Sequence, residues 1–426
     1  MGNKVQIGLL GIGTVGSGVL ETLINRDGNV EIKKIADKDT EKFKQYPELS
    51  PDIFTTDAQE LINDPDIKIM VELIGGVNPA LDFTKAAIKN KKHIVTANKE
   101  LIAKHGKELF ELAEENNVVI LYEAAVCGGI PIIMPLRQSL AGNKISQIAG
   151  ILNGTTNYIL TKMELEGSEF EEILKEAQKL GYAEADPTGD VQGHDAAYKI
   201  SILASLAFNK NIDINSVYVE GIDKISPIDI GYANEFGYKI KLIGLIRNGD
   251  EDELDVRVHP MLVAKDHPIS RIDDVLNAVE IEGDPVSRVM FSGPGAGKFP
   301  TASSVIGDIM ALASEINVTD YPLPVMRYDK QRKDAKLRHI KDTKNKYYIR
   351  VTTNNMPGVI GDLGIVCGQN GINLFSIVQK GLLEDGSARI VMLTEYANEE
   401  NIQKAVHEIS KRPTTRKINN VIRVMD

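Results

Sequence analysis

The sequence predicts an α/β protein: a doubly wound parallel sheet, then an α+β region, then a small C-terminal βαββαβ unit. Three observations carry this reading. Short apolar runs alternate with helical patterns over the first 126 residues, and such alternation implies parallel strands joined by right-handed crossovers. A glycine-rich turn, Gly11-Ile12-Gly13-Thr14-Val15-Gly16, joins the first apolar run to the first helical pattern. From about residue 145 to 293 the texture changes to helices followed by a run of strands, the pattern of an α+β domain.

Residues 4–11, 30–37, 67–75, 93–98 and 118–126 read as strands, because their continuous apolar runs suit burial on both faces. Helical patterns occupy 14–25, 79–89 and 99–117. Further helices are expected at 155–166, 169–180 and 195–208, then strands at 217–222, 241–247, 254–263, 278–282 and 287–291. The glycine-rich segment GPGAGKFPTASS and a helix over 304–317 close that region. Residues 321–346, proline-punctuated and then dense in Lys, Arg and Asp, read as a linker. The remaining residues, 347–426, have a strand–helix–strand–strand–helix–strand order. The expected division is therefore 1–135, completed by about 295–320; then 136–295; the linker; and 347–426.

A chain of 426 residues exceeds what one core organises, so two or three domains are expected. The net charge of -11 argues against nucleic acid, whose phosphates need clustered Lys and Arg. Two cysteines, Cys127 and Cys367, support neither a disulfide framework nor a thiolate metal site. Residues 118–136 are apolar enough to imitate a membrane span, but Glu123, Gly128, Gly129, Pro131 and Pro135 argue for a buried strand and a turn. The chain enters its first strand without a signal-peptide pattern, so a cytoplasmic protein without membrane attachment is expected.

In the glycine turn, Gly11 permits a tight bend, Gly13 lets the main chain approach a pyrophosphate, and Gly16 allows close helix–strand packing. Phosphates would sit on N–H groups at the helix start. A strand before the turn, a helix after it and Asp37 ending the second strand complete the context of a Rossmann-type dinucleotide fingerprint. Asp37 would bond a ribose 2′-hydroxyl and repel a 2′-phosphate, whereas Lys38 would attract one; NAD is favoured and NADP stays open. Gly75-Gly76 and Thr96-Ala97-Asn98-Lys99 lie at carboxyl ends of strands, the edge where open α/β sheets bind ligands. The glycines leave room for a nicotinamide ring, and Lys99 either serves the site or simply starts a polar helix.

Glu123 precedes Val126-Cys127-Gly128-Gly129-Ile130. A carboxylate beside glycine-rich carbonyls can hold a hard monovalent cation, and Glu123 serves equally as a paired strand-end carboxylate. Cys127, with no histidine motif nearby, reads as a packing residue. Asn153-Gly154-Thr155-Thr156-Asn157 reads as an N-cap cluster that also suits a substrate carboxylate. The seven histidines lack metal-ligand spacing, which argues against zinc or iron.

The segment AQKLGYAEADPTGDVQGHDAAYK, residues 177–199, gathers Glu184, Asp186, Asp190 and Asp195 before Lys199. Asp195 and Lys199 are spaced i,i+4 on a helix whose same face carries Ile202, Leu203 and Leu206. No other charge occurs between Ala196 and Phe208, so Lys199 reads as buried and paired, a candidate for proton transfer. The alternative is an exposed helix pair worth little.

These residues resemble the homoserine dehydrogenase family. Gly181, Tyr182, Ala183, Asp186-Pro187, Asp190, Gly193, Asp195 and Lys199 match its signature, and GLLGIGTVGSGV, TANK, EAAVCGGIP, NGTTNYIL and GPGAGKFPTA follow in the family's order. The resemblance covers about residues 4–317. It implies NAD(P)-dependent interconversion of L-homoserine and L-aspartate 4-semialdehyde in threonine, methionine and isoleucine biosynthesis. It further implies Lys199 as proton donor and acceptor, and Lys99 beside substrate and nicotinamide. Glu184 and Asp195 would hold the substrate, with Asp190 in support and Gly181 and Thr155 nearby. Glu123, Val126, Gly128 and Ile130 would bind a sodium-like cation, and Ala97 and Gly297 would join the cofactor site. Aspartate-semialdehyde dehydrogenase is the competing enzyme, but it needs a nucleophilic cysteine in a motif absent at Cys127 and Cys367. A dinucleotide- and amino-acid-binding sensor would lack the lysine or the acids, and all are present. Residues 347–426 resemble an ACT domain through Met356-Pro357-Gly358-Val359 and Gly371-Ile372-Asn373, with Asn355 where that family usually has Asp. This implies pairing into a homodimer or homotetramer and an amino-acid effector such as threonine.

Overall fold

The computed structural model describes residues 4–26, 28–249, 253–316 and 332–425. The chain begins β1 (Val5–Leu10), α1 (Thr14–Ile24), β2 (Val30–Ala36), β3 (Phe54–Thr55), α2 (Ala58–Asn63), β4 (Ile67–Glu72) and α3 (Ala80–Lys89). It continues β5 (His93–Thr96), α4 (Lys99–Glu115), β6 (Ile120–Leu121), β7 (Lys144–Ile151), α5 (Gly154–Glu166), α6 (Phe170–Lys179), α7 (Thr188–Val191) and α8 (His194–Ala207). Next come β8 (Lys210–Asn211), β9 (Tyr218–Val219), α9 (Pro227–Glu235), β10 (Tyr238–Asn248), β11 (Glu253–Ala264), β12 (Leu276–Asp284), β13 (Ser287–Pro294) and α10 (Lys298–Ile316). The last part holds β14 (Lys333–Asp334), β15 (Lys336–Leu337), β16 (Lys344–Asn345), β17 (Tyr347–Asn354), α11 (Val359–Gln369), β18 (Leu374–Leu382), β19 (Ser387–Thr394), β20 (Ala397–Asn398), α12 (Glu399–Ser410) and β21 (Thr415–Val424).

Two compact units result: Met1–Gln147 with Tyr198–Ser216 and Asn277–Ala335, and Ile148–Ala197 with Val217–Leu276 and Lys336–Asp426. The first unit is built on a parallel sheet of order β3-β2-β1-β4-β5-β6. The order reverses between β1 and β4, which opens a crevice at their carboxyl ends. Ile7 and Leu9 of β1, Val71 of β4 and Val95 of β5 share a core with Val305, Ile309 and Leu312 of α10. Gly18 lets α10 approach α1, since a Cβ there would lie 2.7 Å from the Lys298 carbonyl.

The second unit is a mixed sheet. β10 and β11 form a continuous antiparallel hairpin, and β21 runs parallel to β11 through Met261–Arg423 and Leu262–Val424. The C-terminal strands follow in the order β21-β17-β19-β18, with antiparallel pairing throughout. The βαββαβ run therefore extends the sheet that contains β10 and β11.

Several elements differ from the sequence reading. Only Ile120–Leu121 of the expected strand 118–126 is paired, because the chain bends into a 3-10 turn at Glu123–Ala125. The β7 strand and the α9 helix are additions; α9 begins at a capping box of Ser226 and Asp229, a signal present in the sequence. Of the expected linker 321–346, residues 321–331 lie outside the described residues, and the rest carries short pairings of β14 with β8 and β15 with β11.

Candidate active site

In the first unit the site begins at the glycine turn. Gly11 has φ of +94°, open to glycine at little cost, and a Cβ at Gly16 would lie 2.0 Å from the Gly11 carbonyl. Gly13, which caps α1, has nothing within 4 Å of a built Cβ, so the main chain is open to a ligand there. A cavity of about 360 Å³ adjoins it, lined by Gly11, Gly13, Asp37, Lys38 and Ile74.

Asp37, at the end of β2, lines the same cavity and is already engaged. Its carboxylate accepts the Ile12 N–H at 2.8 Å, the Asp39 N–H at 2.9 Å and the Lys42 ammonium at 2.9 and 3.1 Å. Burial opposes its charge, but those N–H groups and Lys42 hold it below the usual carboxylate range. Lys38 is exposed on the same cavity. Lys42 escaped the sequence reading, because its contact with Asp37 depends on the turn at Thr40–Gln45.

At the carboxyl ends of β4 and β5, Glu72 organises both loops. Fully buried, it accepts the Thr96 hydroxyl at 2.7 Å and the N–H groups of Ile74 at 3.0 Å and Gly75 at 3.3 Å. Burial pushes its carboxyl upward, opposed by those bonds. Gly75 and Gly76 have φ of +72° and +67° and face open space. Asn98 donates to the Gly76 carbonyl at 2.6 Å and caps α4 through the Leu101 N–H, which places half-buried Lys99 in the first turn. Sequence reasoning passed over Glu72, although a charge ending an apolar strand at the ligand edge was a usable signal.

Glu123 is buried, and its carboxylate accepts the N–H groups of Ile132, Ile133 and Met134 at 2.5, 2.7 and 2.8 Å. Its own N–H donates to Asp308, whose carboxyl burial pushes up to about 8. Cys127 is buried at φ of +54° and Gly128 follows at +44°, its carbonyl accepting the Ser304 hydroxyl at 2.7 Å. Gly297 opens α10 at φ of +116°. Among the described residues, no group of three or more His, Cys, Asp or Glu side chains could hold a metal ion.

In the second unit, Asn153 caps α5 and brings two of the expected acids together. Its amide nitrogen lies 2.7 Å from Asp190 and 2.9 Å from Asp195. The Thr155 hydroxyl donates to the Tyr182 carbonyl at 2.6 Å, pinning the loop that carries Gly181 and Glu184. Glu184 is exposed on that loop, and Asp186 accepts the Thr188 N–H, shaping the entry to α7. Helix α8 begins in this unit, where it carries Asp195, and continues into the first, where it carries Lys199; the two occur one turn apart and are 6% and 7% exposed, so the helix pair is not a solvated one.

The sheet order, the glycine turn at the switch point and Asp37 together define a protein with a dinucleotide-binding α/β domain. Residues 11–123 match the family model described as "Homoserine dehydrogenase, NAD binding domain", and residues 131–310 that described as "Homoserine dehydrogenase". A homoserine dehydrogenase from Synechocystis sp. is 45% identical over 99% of both chains. A crystal structure of a homoserine dehydrogenase from Thiobacillus denitrificans is 37% identical, with a TM-score of 0.94 over 100% of this chain and 99% of that one. A hyperthermophilic archaeal homoserine dehydrogenase in complex with NADPH is 29% identical, with a TM-score of 0.62 over 72% of this chain and 97% of that one. The chain belongs to the homoserine dehydrogenase family. Among the described residues, no helix is long and apolar enough to cross a membrane.

Proposed function

We propose that Lys199 is the proton donor and acceptor in the interconversion of L-homoserine and L-aspartate 4-semialdehyde. The bound dinucleotide supplies or takes up the hydride at the substrate's C4. In the reducing direction the carbonyl oxygen gains negative charge, and a positioned ammonium both stabilises and protonates it. In the oxidising direction the neutral amine takes the hydroxyl proton. The observation that carries this role is the burial of Lys199 one helical turn after an equally buried Asp195. Lys99, in the first turn of α4 beside the Gly75-Gly76 edge, serves the same chemistry. Glu184 and Asp195, supported by Asp190, pair with the α-ammonium, with Gly181 and Thr155 shaping that pocket. Following NAD(P)H oxidation with aspartate semialdehyde tests the assignment. Lys199→Ala is expected to lower kcat by about a hundredfold or more, and near-full activity in that variant would overturn it.

Residues Gly11 to Gly16 fit a pyrophosphate, since Gly13 offers open main chain at the helix start. Asp37 favours an unphosphorylated ribose, while Lys38 and Lys42 favour a 2′-phosphate that would draw Lys42 from Asp37; measured KM values for NAD and NADP decide between them. A monovalent cation belongs to this reading at residues 123–130. Because the Glu123 carboxylate already accepts three N–H groups, the main-chain carbonyls of Glu123, Val126, Gly128 and Ile130 would hold it. Activity that is the same in sodium, potassium and choline chlorides at one ionic strength would remove the cation.

The division of labour assigns 1–135 with about 295–320 to the cofactor, 136–295 to substrate and dimerisation, and 347–426 to an ACT regulatory role. The β21-β17-β19-β18 order supports the last assignment. The full reading is a cytoplasmic homodimer or homotetramer that responds to an amino acid. Threonine is the effector to test first: it is expected to lower activity and shift the thermal transition. If it changes neither, the effector assignment fails.

A further inference from the structure

We infer that Asn153 is a positioning residue of the substrate site: its carboxamide fixes Asp190 and Asp195 as a pair. The inference rests on the proposed role of those acids as substrate ligands.

Asn153 is 5% exposed, and its hydrogen-bonding capacity is divided between two tasks. Its Oδ1 accepts the Thr156 N–H at 2.8 Å and the Thr156 hydroxyl at 2.9 Å. Its Nδ2 donates to Asp190 Oδ1 at 2.7 Å and to Asp195 Oδ2 at 2.9 Å. An amide nitrogen carries two hydrogens, one for each acid. Exchanging the amide oxygen and nitrogen would aim an acceptor at two carboxylates, so the side chain has one workable orientation.

The base of this arrangement is rigid. Gly154 brings the start of α5 against residue 275, where a Cβ would lie 2.7 Å from the Val275 carbonyl. One turn on, Asn157 Oδ1 accepts from buried Lys241 at 2.9 Å. From this anchor, Asn153 reaches α7 through Asp190 and α8 through Asp195. Two carboxylates drawn to one point repel. A neutral amide donates one hydrogen to each and brings no charge of its own between them.

Two variants separate this role from helix capping, because serine and aspartate both cap helices well. Asn153→Ser is expected to keep Tm within about 4 °C and the dinucleotide KM within about twofold. Its homoserine KM is expected to rise about tenfold or more, the cost of lost bonds to charged groups. Asn153→Asp is expected to raise that KM further, and then to recover towards the serine variant between about pH 9 and pH 6, as the introduced carboxyl gains a proton to donate. A wild-type homoserine KM in Asn153→Ser, or a pH profile of Asn153→Asp parallel to wild type, would overturn the inference. So would a lower Tm with unchanged KM in both variants, which marks a purely structural cap. Asp195→Asn, measured alongside, distinguishes the failures. If it also leaves homoserine KM unchanged, the acids are not substrate ligands; if it raises KM while Asn153→Ser does not, only the positioning role falls.

Discussion

Glu72 shows how one buried carboxylate can shape a ligand edge it does not enter. It is the acceptor for Thr96, Ile74 and Gly75, so Glu72→Ala strands a hydroxyl and two N–H groups. The expected cost is about 3 kcal/mol, read in chemical denaturation, with a raised dinucleotide KM. A variant as stable as wild type would show that water replaces the carboxylate. His93 offers a second residue-scale prediction. Burial lowers its imidazole from 6.5 to about 4, and its Nδ1 accepts the Val119 N–H, which protonation there would break. Between those values the unfolded chain binds the proton and the folded one does not, so stability falls as pH drops below 6.5. The largest slope for one such group is about 1.4 kcal/mol per pH unit. Unfolding free energies at several pH values are expected to be flatter for His93→Gln than for wild type; equal slopes would contradict the assignment.

At the scale of elements, the turn between β1 and α1 tolerates no added atom at its third glycine. A Cβ at Gly16 would overlap the Gly11 carbonyl at 2.0 Å, so Gly16→Ala must displace the loop itself. The expected outcome is a dinucleotide KM raised about tenfold or more with homoserine KM little changed, measured by steady-state kinetics. A wild-type cofactor KM would mean that the loop can move without losing its ligand. This turn was legible in the sequence because each glycine's role is local. The bend at Glu123 was not, since the N–H groups that capture its carboxylate come from residues 132–134. The Lys199 helix was also legible, because an i,i+4 pair above an apolar face is a property of one segment.

At the scale of the whole molecule, the second unit is tied together by a buried ion pair. Asp229 of α9 accepts from Arg350 of β17 at 2.6 and 2.9 Å, from Tyr348 at 3.0 Å and from Asn420 of β21 at 3.1 Å. Burial opposes the charge on Asp229, but Arg350 and the surrounding donors hold its carboxyl below the usual range. Arg350→Met leaves that carboxylate buried without its cation, at an expected cost of about 3–5 kcal/mol. Adding Asp229→Asn is expected to recover part of the loss, because a neutral amide leaves no uncompensated charge and its oxygen still accepts from Tyr348 or Asn420. Denaturation of the single and double variants checks this, and a double variant weaker than both singles would contradict it. The C-terminal strands are thus tied to α9 by polar contacts and to β11 by pairing.

The sequence alone determined the glycine turn, the placing of Asp195 and Lys199 on one helix face, and the main alternation of strands and helices in the parallel sheet, without β3 and α2. Periodicity and turn chemistry act over a few neighbouring residues, so they can be read without knowing what packs where. Tertiary structure decided the rest: the capture of Asp37 by Ile12 and Lys42, the joining of β21 to β11, and the meeting of Asp190 and Asp195 at Asn153. Asn153 lies 37 and 42 residues from those two acids. Only the packing of α5, α7 and α8 brings their polar atoms within bonding distance, and no local pattern encodes that encounter.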